Sequence, residues 1–176
     1  MSKQANILFN RALTIPGLCA IIVLLTGDLR LQAQEKLPHP MTITAVPTQG
    51  LNFGAFCQGA VGGTVIMSPT GSRSTTGDVV QLGMGFVSTP ALFDIETNAG
   101  TVVAVLNGPD ATLTGSEGGT LSLHIGSSSP SAPFITSAIP PAKTTLSFGG
   151  TLTVGSPAAN PPGSYSGAFY ITFIHE

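Results

Sequence analysis

Alternation of apolar and polar residues is the main pattern of the chain after residue 26. No window there repeats apolar residues at spacings of three and four, and glycine or proline interrupts the chain every few residues. An amphipathic helix needs that spacing, whereas alternation between turn clusters indicates half-buried strands. We therefore predict an all-β fold with no helix longer than a turn or two.

Turn-forming clusters divide this region into short predicted strands, at 41–46, 63–68, 78–86, 91–97, 101–106, 111–114, 120–125, 145–154 and 165–175. Gly149 and Gly150 predict a bulge, because glycine tolerates the local geometry. Residues 126–141 are rich in Ser and Pro and are expected to form a long loop, with Phe134 and Ile135 anchored in the core. Since no repeat or second-domain boundary is visible, a single antiparallel β-sandwich is the simplest interpretation.

The first 33 residues have a different character. Lys3 and Arg11 precede an almost purely apolar stretch at 12–26, and the polar residues 27–30 follow it. This arrangement is typical of a signal peptide, and the stretch is shorter than the ~20 residues of a membrane-spanning helix. Ala33 supplies the small residue before a cleavage site. We expect a signal peptide at 1–33 and an exported domain at 34–176, with a retained membrane anchor as the weaker alternative.

The two cysteines are expected to be unmodified. Cys19 follows Leu18 rather than a small residue and lies inside the apolar stretch, which argues against lipidation. Cys57 is the one cysteine left after cleavage, so it is either buried or forms a bridge between chains. Phe53 and Phe56 precede it, and a free cysteine packs as a small hydrophobic residue. We therefore predict that Cys57 is buried.

Charge excludes two classes of partner. Residues 34–176 hold three basic and seven acidic side chains, a net charge of −4. Nucleic-acid binding needs many Lys or Arg contacts to phosphate, and attachment to an anionic membrane surface needs a polybasic segment. Neither is present, and no segment after residue 33 is long enough to span a membrane. A surface with few charges associates with other surfaces more readily than a strongly charged one.

The polar residues do not form a recognisable catalytic pattern. Ser116 directly follows Gly115, whereas a nucleophile elbow has glycine two residues on either side of its serine. Asp94 and Glu96 are two apart on one predicted strand, so a solvated stripe is favoured over a carboxylate pair converging across a cleft. The glycines of 62–63 and 83–85 lack the strand–turn–helix context of a phosphate loop.

Metal ligands are equally sparse. The three histidines, His39, His124 and His175, have no second ligand at a spacing typical of zinc sites. His124 is expected to be an ordinary strand residue, because its neighbours are apolar. The acidic residues Asp78, Asp110 and Glu117 are too scattered for a calcium site. We predict no catalytic, cofactor-binding or metal-binding residue and no enzymatic activity.

Several segments resemble a family of secreted bacterial proteins designated domain of unknown function 4402. The matching segments are 51–54 (LNFG), 63–74 (GTVIMSPTGSRS), 90–93 (PALF), 113–115 (LTG), 119–121 (GTL), 148–155 (FGGTLTVG) and 162–169 (PGSYSGAF), with Gly77, Val79 and Leu82. They cover nearly all of residues 34–176. Each is weak alone, but their order and spacing are fairly specific.

The resemblance implies a fold and a type of function. The family is similar to pilus subunits and spore-coat-U-like proteins, which implies an immunoglobulin-like sandwich and an exported structural or adhesive subunit of the cell surface. A secreted carbohydrate-binding module is the alternative. It is disfavoured because the chain has no Trp, and Tyr165 and Tyr170 fall on opposite faces of one predicted strand.

Self-association is expected to involve the predicted strand 41–46. Pro38, Pro40 and Pro47 isolate this strand, and prolines belong at strand ends or sheet edges. An isolated edge strand is easily exchanged with a neighbouring subunit, where Met41, Ile43 and Ala45 would fill pockets. The alternative is that the strand pairs within its own chain.

Overall fold

A computed structural model describes residues 40–45 and 49–176, and these contain strands but no helix. The strands are β1 (Thr42–Ala45), β2 (Phe56–Met67), β3 (Arg73–Gln81), β4 (Ala91–Glu96), β5 (Val102–Asn107), β6 (Ala111–Gly115), β7 (Thr120–Ser129), β8 (Phe134–Ile135), β9 (Thr144–Val154), β10 (Tyr165–Ser166) and β11 (Ile171–His175). The all-β prediction is confirmed. The predictions for the signal peptide, Cys19 and His39 lie outside the described residues.

The strands form two antiparallel sheets. The larger has the order β1-β4-β9-β7-β6-β10, with β2 paired to β9 and β3 paired to β2. Strand β9 is central: β7 lies on one side, while on the other side β4 pairs with its first half and β2 with its second half. The smaller sheet has the order β11-β5-β8. The arrangement is sandwich-like, with the smaller sheet packed on part of the larger one.

Aromatic packing joins the two sheets. The ring of Phe173 in β11 lies 5.7 Å from that of Phe93 in β4 and 6.0 Å from that of Phe148 in β9. The contact with Phe148 is edge-to-face and the contact with Phe93 is tilted, and aromatic packing of this kind stabilises the rings beyond their burial. The other large buried side chains come from the inward faces of both sheets, namely Val65, Met67, Ile95, Val103, Leu121 and Leu146. The core therefore follows the predicted period-two pattern.

Strands β2 and β3 form a ribbon that bends back on itself. Its register shifts between Gln58 and Gly63, where β2 holds extra residues opposite β3. Gly62 and Gly77 face each other at this corner with φ of 81° and 67°, and a side chain on Gly77 would collide with the carbonyl of Gly62. Only glycine fits this left-handed, close-packed backbone without strain. The bend brings the far end of the ribbon over the β6 side of the larger sheet.

Several predicted boundaries are wrong. Strand β2 begins at Phe56 rather than at residue 63, and β3 spans Arg73–Gln81 rather than 78–86. In both regions Gly, Ser and Thr interrupt the alternation of apolar and polar residues. The strand boundaries there depend instead on pairing between the strands. The shift predicted at Gly149 and Gly150 occurs in the partner strand β7, after Ile125. Strand β7 also continues to Ser129, into the predicted loop.

The predicted final strand 165–175 is two strands in different sheets. Strand β10 pairs with β6, and β11 pairs with β5. Residues 167–170 carry the chain from one sheet to the other. Strand β11 is the last strand of its sheet, although Ile171, Phe173 and Phe169 do pack against the core, as their shared spacing predicted.

Cys57 is exposed, so its predicted burial is wrong. Cys57 pairs with Val80, and both side chains are exposed. In the next pair along the ribbon, Gln58 and Val79, the side chain of Val79 is buried. Successive strand residues point to opposite faces. The register of the bent ribbon therefore turns Cys57 outward while its aromatic neighbour Phe56 packs against the core.

Candidate binding groove

A groove with a volume of about 720 Å³ opens between the bent ribbon and the β6–β10 side of the larger sheet. Its floor is formed by Leu113, Leu121 and Leu152 from three strands. Leu121 and Leu152 belong to the buried core, so the groove reaches core side chains directly. An opening of this size lined mainly by apolar residues is suited to an apolar ligand or peptide segment.

The two walls come from distant parts of the chain. One wall combines residues 53–58 with Leu82, Met84 and Phe86 of the loop after β3. Met84 and Phe86 are about two-thirds exposed, at 66% and 67%. The other wall is the proline-rich segment 161–167 that leads into and out of β10. The large apolar side chains of Met84 and Phe86 are therefore exposed to solvent along the groove and do not cover it.

Asn160 fixes the second wall and ties it to the first. Its side chain is buried, its Oδ1 accepts a hydrogen bond from the Gly155 amide at 2.6 Å, and its Nδ2 donates to the Thr120 carbonyl at 2.6 Å. The Asn160 carbonyl accepts a hydrogen bond from Gln58 Nε2 at 2.7 Å. A buried amide with both ends paired is a rigid anchor. The walls are thus held at a set separation where Gln58 meets Asn160.

Tyr165 lies in the second wall with its ring against the backbone of Gly115. A side chain at residue 115 would collide with this ring, so glycine makes room for it. The Tyr165 hydroxyl donates a hydrogen bond to the Pro161 carbonyl at 2.7 Å, which closes the turn 161–165. Ser116 reinforces the same turn, since its Oγ accepts from the Ser164 amide and its amide donates to the Ser164 carbonyl.

Both walls present strand edges to the groove. Residues 56–58 of β2 pair with β3, while the pairing of β2 with β9 covers only residues 63–67. Strand β10 is the last strand of the larger sheet, and two residues pair it with β6. Unpaired main-chain groups at a sheet edge can accept a further extended strand. The groove combines such edges with an apolar floor.

The polar residues considered from sequence are dispersed over the surface. His124 Nδ1 lies 2.8 Å from Asp110 Oδ1, and both side chains are exposed. Asp94 Oδ1 accepts a hydrogen bond from the Thr145 hydroxyl at 2.7 Å. Asp78 lies at the bend of the ribbon, where its Oδ2 is 3.4 Å from the Val61 amide. Each of these contacts has a local structural role.

Among residues 40–45 and 49–176, no group of three His, Cys, Asp or Glu side chains is close enough to hold a metal ion. His175, at the end of β11, is exposed. Within the same part of the chain, no helix is long and apolar enough to cross a membrane.

Sequence reasoning missed most of the groove. Tyr165 and Tyr170 were predicted on opposite faces of one strand, and this is wrong, because Tyr165 lies in β10 and Tyr170 lies between β10 and β11, outside the groove. Residues 83–86 were predicted as the end of a strand, whereas they form a loop that places Met84 and Phe86 on the rim. Gly83 and Gly85, which flank Met84 and precede Phe86, are the signal that could have indicated a loop with exposed apolar side chains.

Comparison with known proteins identifies a family. The family model described as "Domain of unknown function (DUF4402)" matches residues 41–174, which is more than half of the chain. No curated protein and no solved structure matches the chain significantly. The matched range contains both walls of the groove and, of the described strands, every residue except His175 at the end of β11. The chain therefore belongs to the DUF4402 family.

Proposed function

We propose that this protein is an exported structural or adhesive subunit without catalytic activity, which binds an extended apolar segment of a partner subunit in the groove. The observation that carries the proposal is the groove itself, in which core leucines form the floor and strand edges form the walls. An extended segment placed there can add main-chain hydrogen bonds to an edge and insert alternate side chains between the walls.

The segment proposed to fill the groove is β1 of another subunit. Strand β1 pairs with β4 over four residues at the outer end of the larger sheet. Thr42, Ile43 and Thr44 are all exposed, and Met41 is the side chain that packs against the core. Because β1 buries little apolar surface against its own sheet, its transfer to a neighbouring groove loses little stabilisation from apolar burial. Ile43 and Met41 would gain burial there.

A peptide of residues 38–46 tests this proposal. Binding of the labelled peptide to the purified chain is measured by fluorescence anisotropy, and a peptide with Ile43→Lys serves as the sequence control. Ser166→Trp fills the groove at an exposed position of β10, whereas Val61→Ser changes an exposed residue outside the groove and is the matched control.

The proposal expects the wild-type chain and Val61→Ser to bind the peptide equally, and Ser166→Trp to bind it at least about tenfold more weakly, a loss of about 1.4 kcal/mol. The Ile43→Lys peptide should bind more weakly to all three proteins. Absence of binding, or equal binding by Ser166→Trp, would overturn the assignment of the groove.

A carbohydrate-binding function is the second candidate, because aromatic rings line the groove. Phe56, Phe86 and Tyr165 could offer a face to a sugar ring, with Gln58 and Asn52 as hydrogen-bonding groups. A panel of immobilised glycans separates the two candidates. Glycan binding that is lost in Phe86→Ser and retained in Val61→Ser would favour sugar recognition. Peptide binding without glycan binding would favour the assembly function.

A further inference from the structure

The outer face of the smaller sheet is apolar, and none of residues 40–45 and 49–176 covers it. Residues 102, 104 and 106 of β5 point away from the core, because Val103 between them is fully buried. Register places Ile135 opposite Val102, Ile174 opposite Ala104 and Thr172 opposite Leu106. Tyr170 continues the same alternation beside Gly108. We call this set of residues the outer β5 face.

The exposure of these side chains is unusual for a sheet. Tyr170 is 76% exposed, Ile135 68%, Leu106 60%, Ile174 49% and Val102 38%. Single exposed apolar residues are common on soluble proteins, but contiguous patches of several hundred Å² mark interaction surfaces. Hydrogen bonding between β11, β5 and β8 makes these five residues neighbours on one surface.

We propose that the outer β5 face binds a second copy of this chain, sheet against sheet. Burial of these five exposed side chains in each copy would approach the roughly 600–800 Å² that each partner buries in a specific interface. The strand positions that form this face, residues 102, 104, 106, 135, 170, 172 and 174, are all uncharged, so two such faces can meet there without burying an unpaired charge. Glu176 lies at the end of β11, where its backbone pairs with Val102.

The shape of the face also fits a symmetric contact. Ala104 is small and lies directly opposite Ile174, so a depression adjoins a protruding side chain. In an interface with twofold symmetry, if residue i of one copy contacts residue j of the other, then residue j of the first copy also contacts residue i of the second. A twofold axis at this point would place Ile174 of each protomer over Ala104 of its partner. Tyr170 at the rim combines an apolar ring with a hydroxyl that can stay hydrated, as aromatic anchors of interfaces do.

This interface is separate from the groove and does not depend on the proposed function. The outer β5 face belongs to the smaller sheet, whereas the groove is lined by residues of the larger sheet and its loops. A chain that used both surfaces would have two independent contacts, one along the groove and one between sheets.

Sedimentation velocity over a range of protein concentrations tests the inference. The wild-type chain is expected to form dimers in a concentration-dependent equilibrium. Leu106→Lys/Ile174→Lys should raise the dimer dissociation constant at least about a hundredfold, since it would bury unpaired charges in the interface. Leu106→Thr/Ile174→Thr should raise the dimer dissociation constant about tenfold. Because threonine forms strands well, this variant tests the interface even if the lysine variant does not fold. Val61→Lys/Val80→Lys changes two exposed valines elsewhere and should leave the dissociation constant unchanged.

Ala104→Leu distinguishes a shape-complementary interface from nonspecific hydrophobic association. It adds apolar surface but fills the depression, so it should weaken the dimer about tenfold, whereas unspecific association or binding to a lipid surface would become stronger. Ser166→Trp, which blocks the groove, should not change the dissociation constant. A wild-type chain that is monomeric at all concentrations, a dimer insensitive to Leu106→Thr/Ile174→Thr, or a monomer that instead floats with phosphatidylcholine vesicles would overturn the inference.

Discussion

The side chains of Arg73 and Gln81, the first and last residues of strand β3, hydrogen-bond to each other. Arg73 Nε donates to Gln81 Oε1 at 3.1 Å, and Gln81 Nε2 donates to the Arg73 carbonyl at 3.1 Å. At about 3.3 Å per residue, a straight strand would separate these two residues by about 26 Å. The contact therefore measures how far the β2–β3 ribbon bends back, and this bend creates one wall of the groove.

Arg73→Gln is expected to destabilise the bend. The Arg73 guanidinium also donates to the carbonyls of Phe53 (2.5 Å) and Ala55 (3.2 Å), which lead into the groove wall. Loss of hydrogen bonds from a charged donor to partly buried carbonyls should lower the free energy of unfolding by about 1–3 kcal/mol. Urea denaturation measures this. Arg73→Lys keeps the charge but not the forked geometry, so a fully stable Lys variant would argue that charge alone matters.

Asn160→Ala is expected to lower the free energy of unfolding by about 1–3 kcal/mol, because it leaves the Thr120 carbonyl and the Gly155 amide without partners. Asn160→Asp keeps the acceptor to Gly155 and removes only the donor to Thr120. The Asp variant is not a mild control, since it places a carboxylate beside the Thr120 carbonyl. Thermal unfolding of both variants should show a loss, and a native-like midpoint for Asn160→Ala would mean that the wall does not depend on this side chain.

Phe173→Ala should be more damaging than Phe169→Ala. Truncation of a fully buried phenylalanine to alanine costs about 3–5 kcal/mol, but Phe169 is half-buried between β10 and β11. Phe173 is half-buried too, yet its ring packs on two other rings across the sheets. We expect about 3 kcal/mol for Phe173→Ala and about 1–2 kcal/mol for Phe169→Ala in chemical denaturation. The reverse order would place the inter-sheet contact elsewhere.

The exposed thiol of Cys57 should react with a maleimide reagent in the folded protein. Its rate of labelling is expected to fall within about tenfold of the rate in denaturant, because an accessible thiol needs no unfolding step to react. Mass spectrometry follows the modification. Protection by several orders of magnitude would restore the burial predicted from the sequence.

The exported chain is expected to begin near Gln34. Ala33 is the small residue best placed after the apolar stretch 12–26. Intact-mass measurement of protein secreted by an expressing cell tests the cleavage position. A mass that retains residues 1–26 would indicate an anchored protein and contradict the predicted export as a cleaved form.

Periodicity along the chain predicted the all-β class and much of the core, although not the boundaries of every strand. Val65 and Met67, and likewise Ile95, were placed on apolar strand faces by the alternation around them, and all three are buried. A side chain's face within a strand depends on its immediate neighbours, so a local pattern is enough to assign it. The absence of helical spacing fixed the all-β class in the same way.

Tertiary structure alone decided the bend of β2 and β3, the outward side of Cys57 and the groove. The partners of Arg73 lie at positions 53, 55 and 81, and those of Asn160 at 58, 120 and 155, so no local pattern could reveal them. Strand β5 is apolar on both faces, and its sequence therefore cannot indicate which face is covered. That choice depends on which sheet packs against it, and packing between distant segments is a property of the folded chain.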